Sequence, residues 1–191
     1  MPSSPQDILD FWFGREGETG YGEFRDAWFH KNEDFDREVT SRFGDDYEKA
    51  AAGDLDGWRE EARGTLALVI VLDQFPRNMF RGDGKTHASD AKALETAEYA
   101  VERALDRELP ALQRMFLYMP FMHSEDIETQ RRSVELFRRL KEEGGPDVTE
   151  YALGHRDIVE RFGRFPHRNA ILGRETSPEE SEFLTQSGSS F

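Results

Sequence analysis

Cysteine is absent from the 191 residues, and with it go disulfides, thiolate metal sites and thiol nucleophiles. Positive charge is scarce. Lys and Arg total 25 against 39 Asp and Glu, a formal charge of −14, which argues against a general nucleic-acid or anionic-membrane surface. Lysine is scarcer still, with five residues against twenty arginines. A salt-adapted acidic surface or a genome that favours Arg codons would each account for this, and the second is the plainer account. No apolar run approaches the ~20 residues that span a bilayer. The opening Met1-Pro2-Ser3-Ser4-Pro5 lacks the basic and apolar regions of a signal peptide, so a cytoplasmic protein is expected. Neither G-x-S-x-G nor a dinucleotide fingerprint occurs. Gly82-Asp83-Gly84-Lys85-Thr86 resembles the end of a phosphate-binding loop, but that motif needs a glycine where Met79 stands.

What is present is helical punctuation and aromatic bulk, including 15 Phe. Ser4, Pro5 and Asp7 read as a helix start and Gly14 as its stop. Asn32 opens a segment in which Phe35, Val39, Phe43 and Tyr47 recur at helical spacing, closed by Gly53. From Gly57 to Asp73 the apolar run Leu66 to Leu72 fits a buried strand or a buried helix, and length favours the helix. One helix is predicted from His87 to Leu109. Pro110 begins a short one that Pro120 is expected to disrupt. Ser124 is expected to cap a long helix reaching Gly144, Asp147 another ending near Gly163, and Ser177-Pro178 a last one. No hairpin signal occurs. The expectation is one all-α domain over residues 1–184, roughly seven to nine helices joined by short connections, with a disordered tail at 185–191.

Two phrases repeat. Phe75-Pro76-Arg77-Asn78 is followed by Phe80, Arg81 and Gly82; Phe165-Pro166-His167-Arg168-Asn169 is followed by Leu172, Gly173 and Arg174. Both are expected to be loops after a helix. Phe, Pro and Asn have ordinary turn roles, but a turn needs no guanidinium. Arg161, Arg164, Arg168 and Arg174, with His167, occupy a stretch without a single acid. Pairing with distant carboxylates is one account; an anion site, suited to the planar fork of Arg, is the other. Asp73 lies on the apolar stripe of its segment, expected near a helix C-terminus, and needs a partner such as Arg77. His155 sits at the centre of a buried stripe, as a packed core imidazole or as a base. His123 and Glu125 flank Ser124, and the first-turn reading of the acids leaves His123 unexplained. His123, Glu125, His155 and His167 match no metal signature, so no metal is expected.

The phrases Asp73 to Asn78, Tyr118 to Asp126 and Gly163 to Asn169 with Leu172-Gly173-Arg174, together with Ile8 to Phe13 and Trp28-Phe29, resemble a bacterial family catalogued as domain of unknown function 924. The resemblance spans nearly the whole chain. It implies an α-helical fold of antiparallel helix pairs similar to a tetratricopeptide-like superhelix, and it implies no activity. No 34-residue consensus recurs, so a helical repeat would be structural only.

The expected site is a cleft for a small anionic ligand, phosphate or carboxylate. Its acid–base residues would be Asp73, His123, Glu125 and His155. Its ligand-binding residues would be Arg77, Asn78, Arg81, Arg164, His167, Arg168, Asn169 and Arg174. Arg77 and Arg168 should then face one cleft with His123 and Glu125, although ninety residues separate the two phrases. The alternative is a protein-interaction module with a concave helical surface. No cofactor, reaction or assembly state is legible in the sequence.

Overall fold

The computed structural model describes residues 3–190, and among them there is no strand. Met1 and Pro2, from the N-terminal stretch read above, and Phe191, the end of the expected tail, lie outside the described residues. Helix α1 (Pro5–Phe13) opens with a capping box between Ser4 and Asp7 and stops at Gly14, φ 85°. Helix α2 (Glu33–Ala52) is capped by the Asn32 side chain, which accepts from the amides of Asp34 and Phe35, and ends at a left-handed Gly53. Local chemistry sets these ends.

The segment with the long apolar run is helix. It comprises α3 (Ala62–Val69), a π-helical turn (Ile70–Gln74) and α4 (Phe75–Met79) in unbroken succession. Leu66 to Leu72 are all 0–1% exposed, and each fully buried large side chain contributes about 1.5–3 kcal/mol relative to exposure. The expectation that Pro76 ends this helix in a loop, with Asp73 near a C-terminus, is therefore corrected. In the π turn the Phe75 amide reaches back five residues to the Ile70 carbonyl. Pro76 has no N–H for the Leu72 carbonyl; the Ser89 hydroxyl, 2.6 Å away, donates to it instead. The two Phe-Pro phrases are thus different structures, since the second is a short 3₁₀ turn, Pro166–Arg168.

Three further boundaries differ from expectation. Helix α5 (Asp90–Glu102) is shorter, because the chain turns through a left-handed Ala104, φ 58°. Helix α6 (Ala111–His123) continues through Pro120. Every side chain from Met115 to Met122 is buried, so packing on all sides overrides a local breaker. Ser124 follows α6 as its C-cap, and α7 (Ile127–Glu142) is capped by Asp126, whose carboxylate accepts from the Thr129 amide at 2.8 Å. Helix α8 (Thr149–Phe162) begins beside Asp147, which accepts from the Thr149 amide. Helix α9 (Pro178–Phe183) opens with the expected Ser177 capping box. Beyond it, residues 184–190 form turns, and the Ser189 hydroxyl donates to the Leu184 carbonyl.

Helix α3 packs against α1, α5 and α6; α2 covers the π turn and α4; α7 lies between α6 and α8. The main core includes Trp12, Phe43, Phe75, Phe116 and Phe137. A second, small cluster of Ile158, Val159 and Phe165 gathers Ile127, Phe162 and Phe183 around it.

Candidate functional site

Asp73 lies in the π turn on the apolar stripe of its segment, and its side chain has no exposure. His123, the last residue of α6, donates from Nδ1 to Asp73 Oδ1 at 2.7 Å. The Gln74 amide donates to Asp73 Oδ2 at 2.6 Å. Arg77, one turn on, lies 3.3 Å from Asp73 Oδ1 and donates to Asp90 Oδ1 at 3.0 Å. His87 donates from Nδ1 to Asp90 Oδ2 at 3.0 Å, and Arg168 Nη1 stands 3.6 Å from the same oxygen. The Arg168 guanidinium lies over the Phe165 ring, 4.4 Å from its centroid. His155 donates from Nδ1 to the Tyr151 carbonyl at 2.7 Å; its ring lies 6.5 Å from that of His123 and 5.5 Å from that of Phe165. Four of the five histidines thus gather around one buried carboxylate, Asp73, a partly exposed one, Asp90, and two guanidiniums.

Burial alone would raise the Asp73 carboxyl, but the Arg77 guanidinium and His123 hold it below the usual carboxylate range. Asp90 is held low in the same way, against burial, chiefly by Arg77. Both are therefore acceptors only, which fixes the protons of His123 and His87 on Nδ1 and makes Nε2 the basic nitrogen. Burial pushes His123 down, and Arg77 adds to this against Asp73. Burial likewise lowers His155 to about 3 and, with Arg168, His167 to about 4. At neutral pH these three imidazoles are uncharged. Burial also lowers Arg168, to about 10, against the pull of Asp90. Its side chain is 8% exposed. Two buried guanidinium nitrogens in this cluster, Arg168 Nε and Arg77 Nη2, have no hydrogen-bond partner.

The structure brings together Asp73, Arg77, His123, His155, His167 and Arg168. Glu125 adjoins them in a different role. Its carboxylate accepts from the Phe165 amide at 2.7 Å and from both terminal nitrogens of Arg174, at 2.7 and 3.0 Å. Arg174 in turn donates to the Asn169 side chain and the Phe165 carbonyl. Glu125, Asn169 and Arg174 therefore brace the loop that carries Arg168. Arg164 is taken by Glu180 through two bonds of 2.6 and 2.8 Å. Asn78 and Arg81 lie away from the histidines and bind Asp36 of α2. His87 and Asp90 also belong to the cluster, beyond the residues the sequence marks as a site. They read there as the start of an Ala-rich helix, and their i, i+3 spacing was the available signal.

The surface depressions include one of about 640 Å³ beside Asp36, Thr40, Asn78 and Met79, and one of about 380 Å³ beside Glu125, Ile127, Arg131 and Gly163. Asp73, His123 and Arg168 line neither. Among the described residues no group of three or more His, Asp or Glu is arranged to hold a metal ion, and no helix is long and apolar enough to cross a membrane.

No curated protein matches the chain. The structure is similar to the solved structure of a protein of unknown function from Agrobacterium tumefaciens, with a TM-score of 0.84 and 45% sequence identity, over 94% of this chain and 96% of that one. The family model described as a bacterial protein of unknown function, DUF924, matches residues 8–188, a span that contains every residue of the cluster, and the chain belongs to that family.

Proposed function

We propose that the protein binds a small oxyanion-bearing molecule at the Asp73–Arg77–His123–Arg168 cluster, with His123 Nε2 as the general base available to it. The observation that carries this reading is Arg168. It is a buried guanidinium whose nearest carboxylate oxygen is 3.6 Å away and whose Nε lacks a partner. A buried donor without an acceptor costs about 1–3 kcal/mol, more when charged, and an oxyanion would relieve that cost. The Asp73–His123 pair supports the second half, because a carboxylate that holds the Nδ1 proton orients an imidazole and raises the basicity of its other nitrogen. Asn78, Arg81 and Arg164 are left out of the ligand set, since each serves a carboxylate of the chain itself; Arg77 also pairs with Asp73 and Asp90 but keeps its buried Nη2 without a partner.

The helix-pair stacking of α6, α7 and α8 supports a tetratricopeptide-like arrangement. A partner-binding surface is the rival reading and has one observation behind it. Phe24 and Phe29 stack 5.2 Å apart while 60% and 48% exposed.

Thermal unfolding distinguishes the two. Phosphate or acetate should raise the melting temperature above the effect of chloride at matched ionic strength. A hundredfold excess over Kd is worth about 2.7 kcal/mol. Arg168→Gln should remove the increment and Arg168→Lys should reduce it. Arg15→Gln, at an arginine 70% exposed, should leave it intact. Equal responses of wild type and Arg168→Gln would refute the anion site.

A further inference from the structure

We infer that the site takes a singly charged oxyanion together with a proton, and that the proton is received by His123 Nε2. This rests on the anion-binding reading above and narrows its ligand class. It starts from the groups that surround His123 on every side. The π turn and α4 present Asp73 and Arg77; α5 presents Asp90, with His87 ahead of it; α8 presents His155; the following loop presents Arg168 and His167. Two carboxylates and two guanidiniums cancel. The neighbouring Glu125–Arg174 pair cancels within itself.

An oxyanion added to a largely buried set of charges that already sums to zero would bring a net charge into a site where Asp73 and Arg168 are shielded from water, which is unfavourable. One proton restores neutrality for a monoanion, and only half compensates a dianion. The ligand class that fits is therefore a monocarboxylate or a singly ionised phosphate ester, bound in effect as its acid.

Among the four imidazoles, His123 is the best receiver. Its Nδ1–H is committed to a fully buried carboxylate at 2.7 Å, so protonation at Nε2 creates an imidazolium already in contact with Asp73. His87 is also bonded to a carboxylate, but Asp90 is shared with two guanidiniums, Arg77 and Arg168, whereas Asp73 has Arg77 alone beside it. The His155 Nδ1 proton goes to a neutral backbone carbonyl. His167 feels Arg168, which opposes a second positive charge beside it. The proton balance is simple: an O–H bond of a solvent hydronium breaks, the N–H bond forms at His123 Nε2, and no covalent bond of the ligand is made or broken.

The test uses the full chain and two probes, acetate and sulfate, neither of which changes charge between pH 6.5 and 7.5. Ring-nitrogen NMR on the ¹⁵N-labelled wild type reads the protonation of each histidine directly, with signals assigned by His123→Gln and His87→Gln. Acetate should convert the His123 ring to the doubly protonated form. Its dissociation constant should fall by up to about tenfold per pH unit on lowering the pH from 7.5 to 6.5. His123→Gln should abolish this pH dependence and His87→Gln should retain it. If neither anion perturbs the Arg168 or His123 signals, the anion site itself fails. If acetate binds while His123 stays singly protonated, or if the proton appears on His87, the anion site stands and this inference is overturned. Sulfate binding as tightly as acetate would overturn the preference for a single charge. The wild-type spectra decide these outcomes even if a variant does not fold.

Discussion

His155 shows at the residue scale how burial converts into pH-dependent stability. Its imidazole is 5% exposed and titrates near 3 rather than 6.5. As the pH falls through 6.5 the unfolded chain takes up a proton that the folded chain refuses, so protons favour unfolding. The contribution of this group is complete above about pH 6.5 and is lost progressively toward pH 3, at a limiting slope of about 1.4 kcal/mol per pH unit. His155→Gln keeps a donor for the Tyr151 carbonyl and does not titrate. Its stability should fall less steeply than that of the wild type between pH 6 and 4, as read by urea unfolding at each pH. Parallel pH profiles would mean that His155 is protonated in the folded protein. The sequence made this residue and Asp73 visible because a polar side chain on an apolar stripe is an anomaly of periodicity. It did not distinguish Glu125 from them. That Glu125 braces a loop depends on Phe165 and Arg174, forty and forty-nine residues away, and no spacing rule reaches so far.

At the scale of elements, what was legible was whatever local chemistry decides. Ser4, Asn32 and Ser177 cap the helices they were expected to cap, because a cap needs only its own next three residues. The passages through Pro76 and Pro120 were misread, because a distant hydroxyl and an all-round packed environment decide them. Gly84 is a similar case. It sits in a stretch that resembles a phosphate-binding loop, yet its need for a missing side chain is a matter of approach. A Cβ there would stand 2.7 Å from the carbonyl oxygen of Ile171, in the segment that follows Arg168. Gly84→Ala must push that segment away, and overpacking of this kind costs about 1–3 kcal/mol. Gly154, inside α8, has nothing within 4 Å of an added Cβ, and Gly154→Ala should be neutral or stabilising by up to ~1 kcal/mol. The melting temperature should therefore fall for Gly84→Ala and hold or rise for Gly154→Ala, and a Gly84→Ala protein as stable as wild type would remove the close approach.

For the whole molecule, the two hydrophobic clusters differ greatly in size. The segment from Arg164 to Phe183 rests on the smaller one and on ion pairs that run from the exposed Arg161–Glu179, 50% and 63% exposed, to the less exposed Arg164–Glu180 and Glu125–Arg174. Exposed pairs contribute about 0–1 kcal/mol each. This segment should open before the main core does, in a partial unfolding that takes Arg168 away from Asp90. In native-state hydrogen exchange, amides of residues 164–183 should exchange at a lower opening free energy than those of α3 and α6. Phe183→Ala should widen that gap without changing α3. All three tryptophans, Trp12, Trp28 and Trp58, lie in the first third of the chain, so their fluorescence should be silent during this opening while far-ultraviolet circular dichroism responds. Uniform exchange of both regions would show one cooperative unit instead.

The hydroxyl of Ser89 on the Leu72 carbonyl also sets an order of events during folding. The donor and acceptor are seventeen residues apart, across the turn that contains Gly84. Until that turn closes, the Leu72 carbonyl has only water, and a proline at position 76 opposes helix continuation. The residues from Ala62 to Val69 can become helical early, whereas Phe75 to Met79 must wait for the start of α5 to arrive. A nascent chain that has emerged only as far as residue 80 would therefore hold an incomplete helix, with Asp73 still in water. Its buried carboxylate is installed late, when Arg77 and the end of α6 are present to receive it.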